Sequence, residues 1–186
     1  MQNIIDSLPN LIRIETYAKG NQVAMSVSPV DFHFGTETSP LAIAHHDEVP
    51  CFFAHEKGYF GAIRVSMKEA LEGKIPALVG AALRDNGLPG EGLHVIMGPC
   101  LTLFHTPVDE ETFAKTMEQY RGACKRTAGI DYIDVPLICL LQFRALGVPM
   151  DQIRVGAYDT FENPSLLYSQ ARGEEEENVT LATLLS

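Results

Sequence analysis

Residues 41–86 constrain the fold more than any other part of the chain. Leu41 to Ala44, Val49 to His55 and Tyr59 to Val65 are apolar stretches of strand length. Glu56-Lys57-Gly58 separates the last two and reads as a tight turn. Ser66 follows at once, with Glu69 at the spacing of a capping box, in which each side chain satisfies an orphan backbone N–H at a helix start. Met67, Leu71, Ile75, Leu78 and Ala82 continue at helical spacing to a stop at Asn86-Gly87. Pro76 is expected to kink or split that helix, because it lacks an amide hydrogen and crowds the preceding turn. Strands that run straight into a helix bring both kinds of element into one core.

The remaining segments are read in the same way. Leu11 to Tyr17 and Gln22 to Ser28 flank Lys19-Gly20-Asn21 with rough apolar–polar alternation, which predicts a β-hairpin with a Gly-Asn turn. Leu93 to Met97 is a short strand running into Gly98-Pro99-Cys100. Thr106-Pro107-Val108-Asp109 reads as an N-cap with proline at the first helical position, opening a helix to about Arg126. Asp134 caps a further helix, with Leu137, Leu140, Leu141, Arg144 and Leu146 on or near its buried side and Gly147 as a left-handed stop. Ile153 to Tyr158 is a strand, Asn163-Pro164 breaks the chain, and Val179 to Leu185 is a final strand. Hairpins come early and helices later, without regular β-α-β alternation, which points to an α+β layered domain. At 186 residues, with no internal repeat and no long linker, a single domain is expected.

Composition excludes several classes. A net charge of −10 makes nucleic acid a poor partner. No run approaches the roughly 18 apolar residues of a membrane span, and the N-terminal segment has no basic n-region or apolar h-region. A cytoplasmic protein with no membrane partner is expected. Cys51, Cys100, Cys124 and Cys139 are widely spaced with no CxxC pair and read as buried free thiols. Glu174 to Glu177 reads as a solvated loop.

His45-His46-Asp47-Glu48 is the densest group of potential ligands. On an extended strand His46 and Glu48 share a face while Asp47 points away. A metal site would need a third donor such as His33 or His94; a polar patch is the other reading. Asp47 also suits a structural role, accepting backbone N–H groups beside a strand bend. Arg64 and Lys68 flank the helix start at Ser66, where an anion could bind.

Two segments resemble the central motifs of the laccase-domain family (YfiH-type, described as polyphenol oxidases and as purine nucleoside phosphorylases). His46-Asp47-Glu48-Val49-Pro50 is similar to Ala-Asp-Cys-x-Pro, and Gly61-Ala62-Ile63-Arg64-Val65-Ser66-Met67-Lys68 to Gly-Ala-x-His-Ala-Gly-Trp-Arg. Further patches follow in order. Ile96 to Cys100 resembles the family's Gly-Pro-Cys segment, Asp134 to Val148 its Asp-Leu…Gln-Leu…Gly-Val helix, and Asn163 to Ser169 its Phe-Phe-Ser-Tyr region. The resemblance covers roughly residues 30–185. In the family the Cys and the His are zinc ligands; this chain has Glu48 and Arg64 there. The family's first ligand is a histidine in an N-terminal Gln-Val-His motif, and no histidine precedes His33. Met67-Lys68 stands for Trp-Arg, and of the C-terminal arginines only Arg172 corresponds.

The resemblance therefore implies a layered α-β-β-α sandwich with mixed sheets, and a divergent, shortened member whose zinc site is dismantled. No cofactor is expected. The implied role is non-catalytic or an altered small-molecule function, with a nucleoside-like ligand or a protein partner. Alternatives are a purine nucleoside phosphorylase or hydrolase working without the metal triad, and a Cys/His hydrolase using Cys100 with His94 or His105, since the wider fold group includes cysteine deamidases. For Cys100 the other reading is an inert core residue. The candidate pocket gathers His46, Glu48, Arg64, Lys68, Cys100 and Arg172. Two ligands of one zinc lie about 2 Å from it and so roughly 3–4 Å apart. A partly buried Glu48–Arg64 ion pair is thus expected where the metal would be.

Overall fold

The computed structural model describes residues 3–8, 11–21 and 27–185. Strand β5 (Val49–His55) is buried at every position. It is the middle of a five-stranded sheet, with β6 (Tyr59–Val65) and then β3 (Phe32–Gly35) on one side, and β7 (Leu93–Met97) and then β11 (Ile153–Val155) on the other. Only the β11–β7 pair is parallel among these. Because strand side chains alternate between faces, β5 supplies two cores. Val49, Cys51 and Phe53 face one, and Phe52 and Ala54 face the other.

The second core lies between this sheet and a four-stranded antiparallel sheet ordered β1 (Ile4–Leu8), β2 (Ile12–Thr16), β12 (Asn178–Leu184), β4 (Leu41–His45). Ile12, Ile14, Ile43 and Ala182 meet Phe52, Phe60 and Ile96 there. On the opposite face, α1 (Met67–Leu71), α2 (Lys74–Asp85) and α4 (Val135–Ala145) pack Ala70, Ile75, Val79, Ile138 and Phe143 onto Cys51, Phe53, Ile63 and Val95. A three-stranded sheet of β8 (Pro107–Val108), β10 (Ile130–Ile133) and β9 (Cys124–Thr127) carries α3 (Glu110–Gln119). The result is an α+β layered sandwich with one mixed sheet and two antiparallel ones. No described helix is long and apolar enough to cross a membrane.

The β5–β6–α1 unit forms as the sequence predicts. Gly58 takes the turn at φ +81°, and its N–H bonds to His55 O at 2.9 Å. Gly61 has no room for a side chain: a Cβ there would lie 2.1 Å from the Phe53 ring and 2.6 Å from His33 O. Ser66 Oγ accepts from Glu69 N–H at 3.3 Å, while Glu69 Oε2 accepts from Ser66 N–H at 2.9 Å, completing the capping box. The helix does split, at Gly73 with φ +76°. Pro76 falls in the first turn of α2, where its missing N–H leaves no bond broken.

Several expectations are corrected. Thr106-Pro107 does not open a helix: Pro107 pairs with Tyr132, and the cap is Asp109, which accepts from Thr112 N–H at 2.8 Å. The helix ends at Gln119 rather than near Arg126, because residues 124–133 form a hairpin turned at Ala128-Gly129, both at positive φ. Helix α4 buries Val135, Ile138, Cys139, Gln142 and Phe143 along with the expected Leu140; Leu137, Leu141 and Leu146 are partly buried against the same core, and Arg144 is exposed. The strand expected to reach Tyr158 stops at Val155, one residue before the last bond to β7, from Gly156 N–H to Met97 O at 2.9 Å. Strand β2 is present, but it pairs with β1 and β12. Its expected hairpin partner, residues 22–28, lies mostly outside the described residues.

Candidate functional site

The candidate site is built on the bend between β4 and β5. His45 ends β4 fully buried, its Nε2 2.9 Å from the Thr180 hydroxyl, which in turn meets Thr16 Oγ1 at 2.8 Å. Burial pushes its pKa down to about 3, so the imidazole is neutral. His46 turns outward, its Nε2 3.0 Å from Glu175 O. Asp47 is a brace: Oδ1 accepts from Thr160 Oγ1 at 2.6 Å and Oδ2 from Ala171 N–H at 2.9 Å. Glu48 folds back, with Oε2 accepting from His46 N–H at 2.8 Å.

Arg64 on β6 meets Glu48 as expected. Its Nη1 lies 3.3 Å from Glu48 Oε1, with the two side chains 35% and 22% exposed. Its Nε bonds to Asp31 Oδ1 at 2.9 Å. Lys74 Nζ continues the chain to Asp31 Oδ2 at 3.1 Å and Glu69 Oε1 at 2.8 Å. Burial opposes the Arg64 charge, but the Asp31 bond and the Glu48 carboxylate hold its pKa above the ordinary value. Burial also opposes ionisation of Asp31, yet Arg64 and Lys74 hold its carboxyl below the usual range.

The other expected pocket residues lie elsewhere. Lys68 points to solvent, 81% exposed, and its ammonium is 3.8 Å from Glu72. Cys100 is 2% exposed, and burial together with Cys139 and nearby carboxylates pushes its thiol well above the usual range. Those are the surroundings of an inert thiol rather than an activated nucleophile. Arg172 is spent on the carbonyls of Thr160, Phe161 and Leu167 and on Glu174 at 2.6 Å. Glu174 is therefore not a solvated residue. Although burial works against its charge, Lys19, the Ser169 N–H and Arg172 bring its pKa down to about 2. His94 sits 3.6 Å from Glu56, and His33 Nε2 is buried without a partner. Among the described residues, no three His, Cys, Asp or Glu side chains come together as a metal-holding group.

A cleft of about 290 Å³ opens beside Glu48, lined also by Asp47, Ser66, Met67, Leu101, His105, Val135 and Gln170. His105, read from the sequence only as a partner for Cys100, lines it as well. Its Nδ1 is 3.0 Å from Asp159 Oδ2, and its ring stacks on Phe161 at 4.5 Å. Asp159 was not singled out from the sequence. The one local signal is an Asx-turn pattern, with Oδ1 accepting from Phe161 N–H and Glu162 N–H two and three residues on.

Solved structures share this fold. YfiH of Bacillus licheniformis superposes with a TM-score of 0.74 at 20% identity, over 83% of this chain and 61% of that one. YlmD of Geobacillus stearothermophilus gives 0.75 at 20%, over 84% and 62%. The chain thus spans about three-fifths of the length of those two proteins. The Neisseria meningitidis protein NMB0706 gives 0.79 at 13% identity, over 100% of both chains. None of the curated proteins matches the sequence. The family model described as multi-copper polyphenol oxidoreductase laccase matches residues 18–183, and the chain belongs to that family.

Proposed function

We propose that this protein binds an uncharged, nucleoside-sized molecule in the cleft beside Glu48 and does so without zinc, as a family member whose metal site has been dismantled. The Glu48–Arg64 pair carries the reading. Zinc needs three or four N, S or O donors. A guanidinium remains cationic and is no ligand, and the carboxylate it meets already accepts from the His46 N–H. The residues at the two motif positions therefore do not fit the metal. The cleft beside them is large enough for a small organic molecule, and its apolar residues Met67, Leu101 and Val135 suit a flat ring. Four free thiols accord with a cytoplasmic location.

Elemental analysis of the purified protein should find no stoichiometric zinc, and calorimetry should detect adenosine or inosine binding that Leu101→Trp abolishes by filling the cleft. Near one zinc per chain, lost on mutation of His46, would refute the metal-free part. No binding of either nucleoside would refute the ligand part. The second reading is an active nucleoside phosphorylase or hydrolase, favoured by His105 at the cleft wall. Release of hypoxanthine from inosine, with and without phosphate, tests it.

A further inference from the structure

The cleft holds an imidazole fixed in the manner of an acid–base residue. Asp159 is 5% exposed, and its carboxylate is engaged on both oxygens. Oδ2 accepts from Thr102 N–H at 2.9 Å, from the Thr102 hydroxyl and from His105; Oδ1 accepts from Phe161 N–H at 2.7 Å and Glu162 N–H at 3.0 Å. A carboxylate with so many donors stays ionised, and it cannot rotate away. Burial works against its charge, but the donors win and hold its pKa below the ordinary value. An ionised acceptor at Nδ1 places the imidazole proton there and leaves the lone pair on Nε2. Glu162 Oε1 lies 3.9 Å from Nε2, beyond hydrogen-bond reach and on a side chain 66% exposed. Stacking on Phe161 fixes the ring plane.

We propose that His105 is the proton acceptor of this cleft, with Asp159 as its positioning residue. Its bare Nε2 takes a proton from an O–H or N–H of an uncharged ligand, or of a water beside that ligand. The O–H or N–H bond breaks, its electron pair stays on the oxygen or nitrogen, and a new N–H bond forms at Nε2. Asp159 then faces an imidazolium, whose charge it stabilises. The ligand class follows from the lining. Glu48 is paired with Arg64, Asp47 is saturated by Thr160 and Ala171, and no Lys or Arg lines the cleft. An anion finds no counter-charge there, whereas a neutral molecule with one donor edge can meet the imidazole that lines the cleft. The inference rests on the cleft being a ligand site.

Nitrogen-15 NMR of histidine-labelled protein near neutral pH reads the tautomer directly. A protonated Nδ1 and bare Nε2 at His105 are expected; the reverse tautomer, or a ring protonated on both nitrogens, overturns the proposal whether or not adenosine binds. Diethyl pyrocarbonate acylates bare, accessible imidazole nitrogens, and peptide mass spectrometry locates the adduct. His105 should be labelled while buried His45 is spared. In Asp159→Asn the side-chain amide can donate to Nδ1 and move the proton to Nε2, so labelling of His105 should slow about tenfold or more. Unlabelled His105 in the native protein, or an unchanged rate in Asp159→Asn, overturns the proposal. Should Asp159→Asn fail to fold, the two measurements on the native protein decide. If neither nucleoside binds but His105 shows the expected tautomer and reactivity, only the ligand reading fails.

Discussion

Arg64 on β6 reaches Glu48 across the bend that enters β5, Nη1 to Oε1 at 3.3 Å. The register explains the meeting. Arg64 pairs with Pro50, and Glu48 lies two residues earlier on the same face. Each side chain keeps a second partner, Asp31 for Arg64 and the His46 N–H for Glu48. The pair is only partly buried, so solvent screens it and its coupling should be about 1 kcal/mol. Glu48→Gln and Arg64→Met are each expected to destabilise, with the double mutant less harmful than their sum. Urea denaturation of the four proteins in the cycle measures this; strict additivity would show that the two side chains are not coupled.

Ser66→Ala should cost about 1 kcal/mol, since it strips the cap of α1 while the Glu69 carboxylate still accepts from the Ser66 backbone. The same urea titration tests it. A loss below about 0.3 kcal/mol would mean that the long 3.3 Å half of the box contributes little.

His45 makes stability depend on pH. Its folded pKa of about 3 lies below the ordinary 6.5, so the unfolded chain binds a proton that the folded one refuses. The contribution is fully present above pH 6.5 and is lost progressively as pH falls from there toward 3. The slope approaches one proton, about 1.4 kcal/mol per pH unit. His45→Gln should remove that slope in denaturation curves taken at pH 7, 5.5 and 4. An unchanged slope would place the titrating group elsewhere.

Gly61→Ala should destabilise by about 1–3 kcal/mol or prevent folding, because the new methyl would overlap the Phe53 ring and the His33 carbonyl. Thermal melting reads the loss. A melting temperature equal to the parent's would refute the packing of β5 against β6.

Cys100 should resist iodoacetamide at neutral pH and react only when the protein is unfolded, as its burial and raised pKa require. Rapid labelling of Cys100 in the native protein, located by peptide mass spectrometry, would revive the hydrolase reading.

The parts of this protein legible in the sequence are those whose physics is local. The Glu56–Gly58 turn, the Ser66–Glu69 box, the Asp134 cap and the Gly147 stop each depend on residues within a few positions of one another. The Glu48–Arg64 pair was legible through the resemblance, because the family's shared zinc implies that the two positions converge. The end of α3 was not, since residues 110–126 can continue a helix until a hairpin with β10 competes for them. The most buried positions of α4 were not legible for a related reason. The helix is apolar nearly all round, so which side is covered depends on what packs against it.

Local sequence thus determined the central strands, the caps at Ser66 and Asp134 and the residue types at the bend before β5. Tertiary structure alone decided that Arg172 braces loop carbonyls and that His105 meets Asp159 across 54 residues of chain. Hydrogen-bond partners of that separation leave no periodic trace in the sequence, because each is specified by the packing of other elements rather than by its own neighbours.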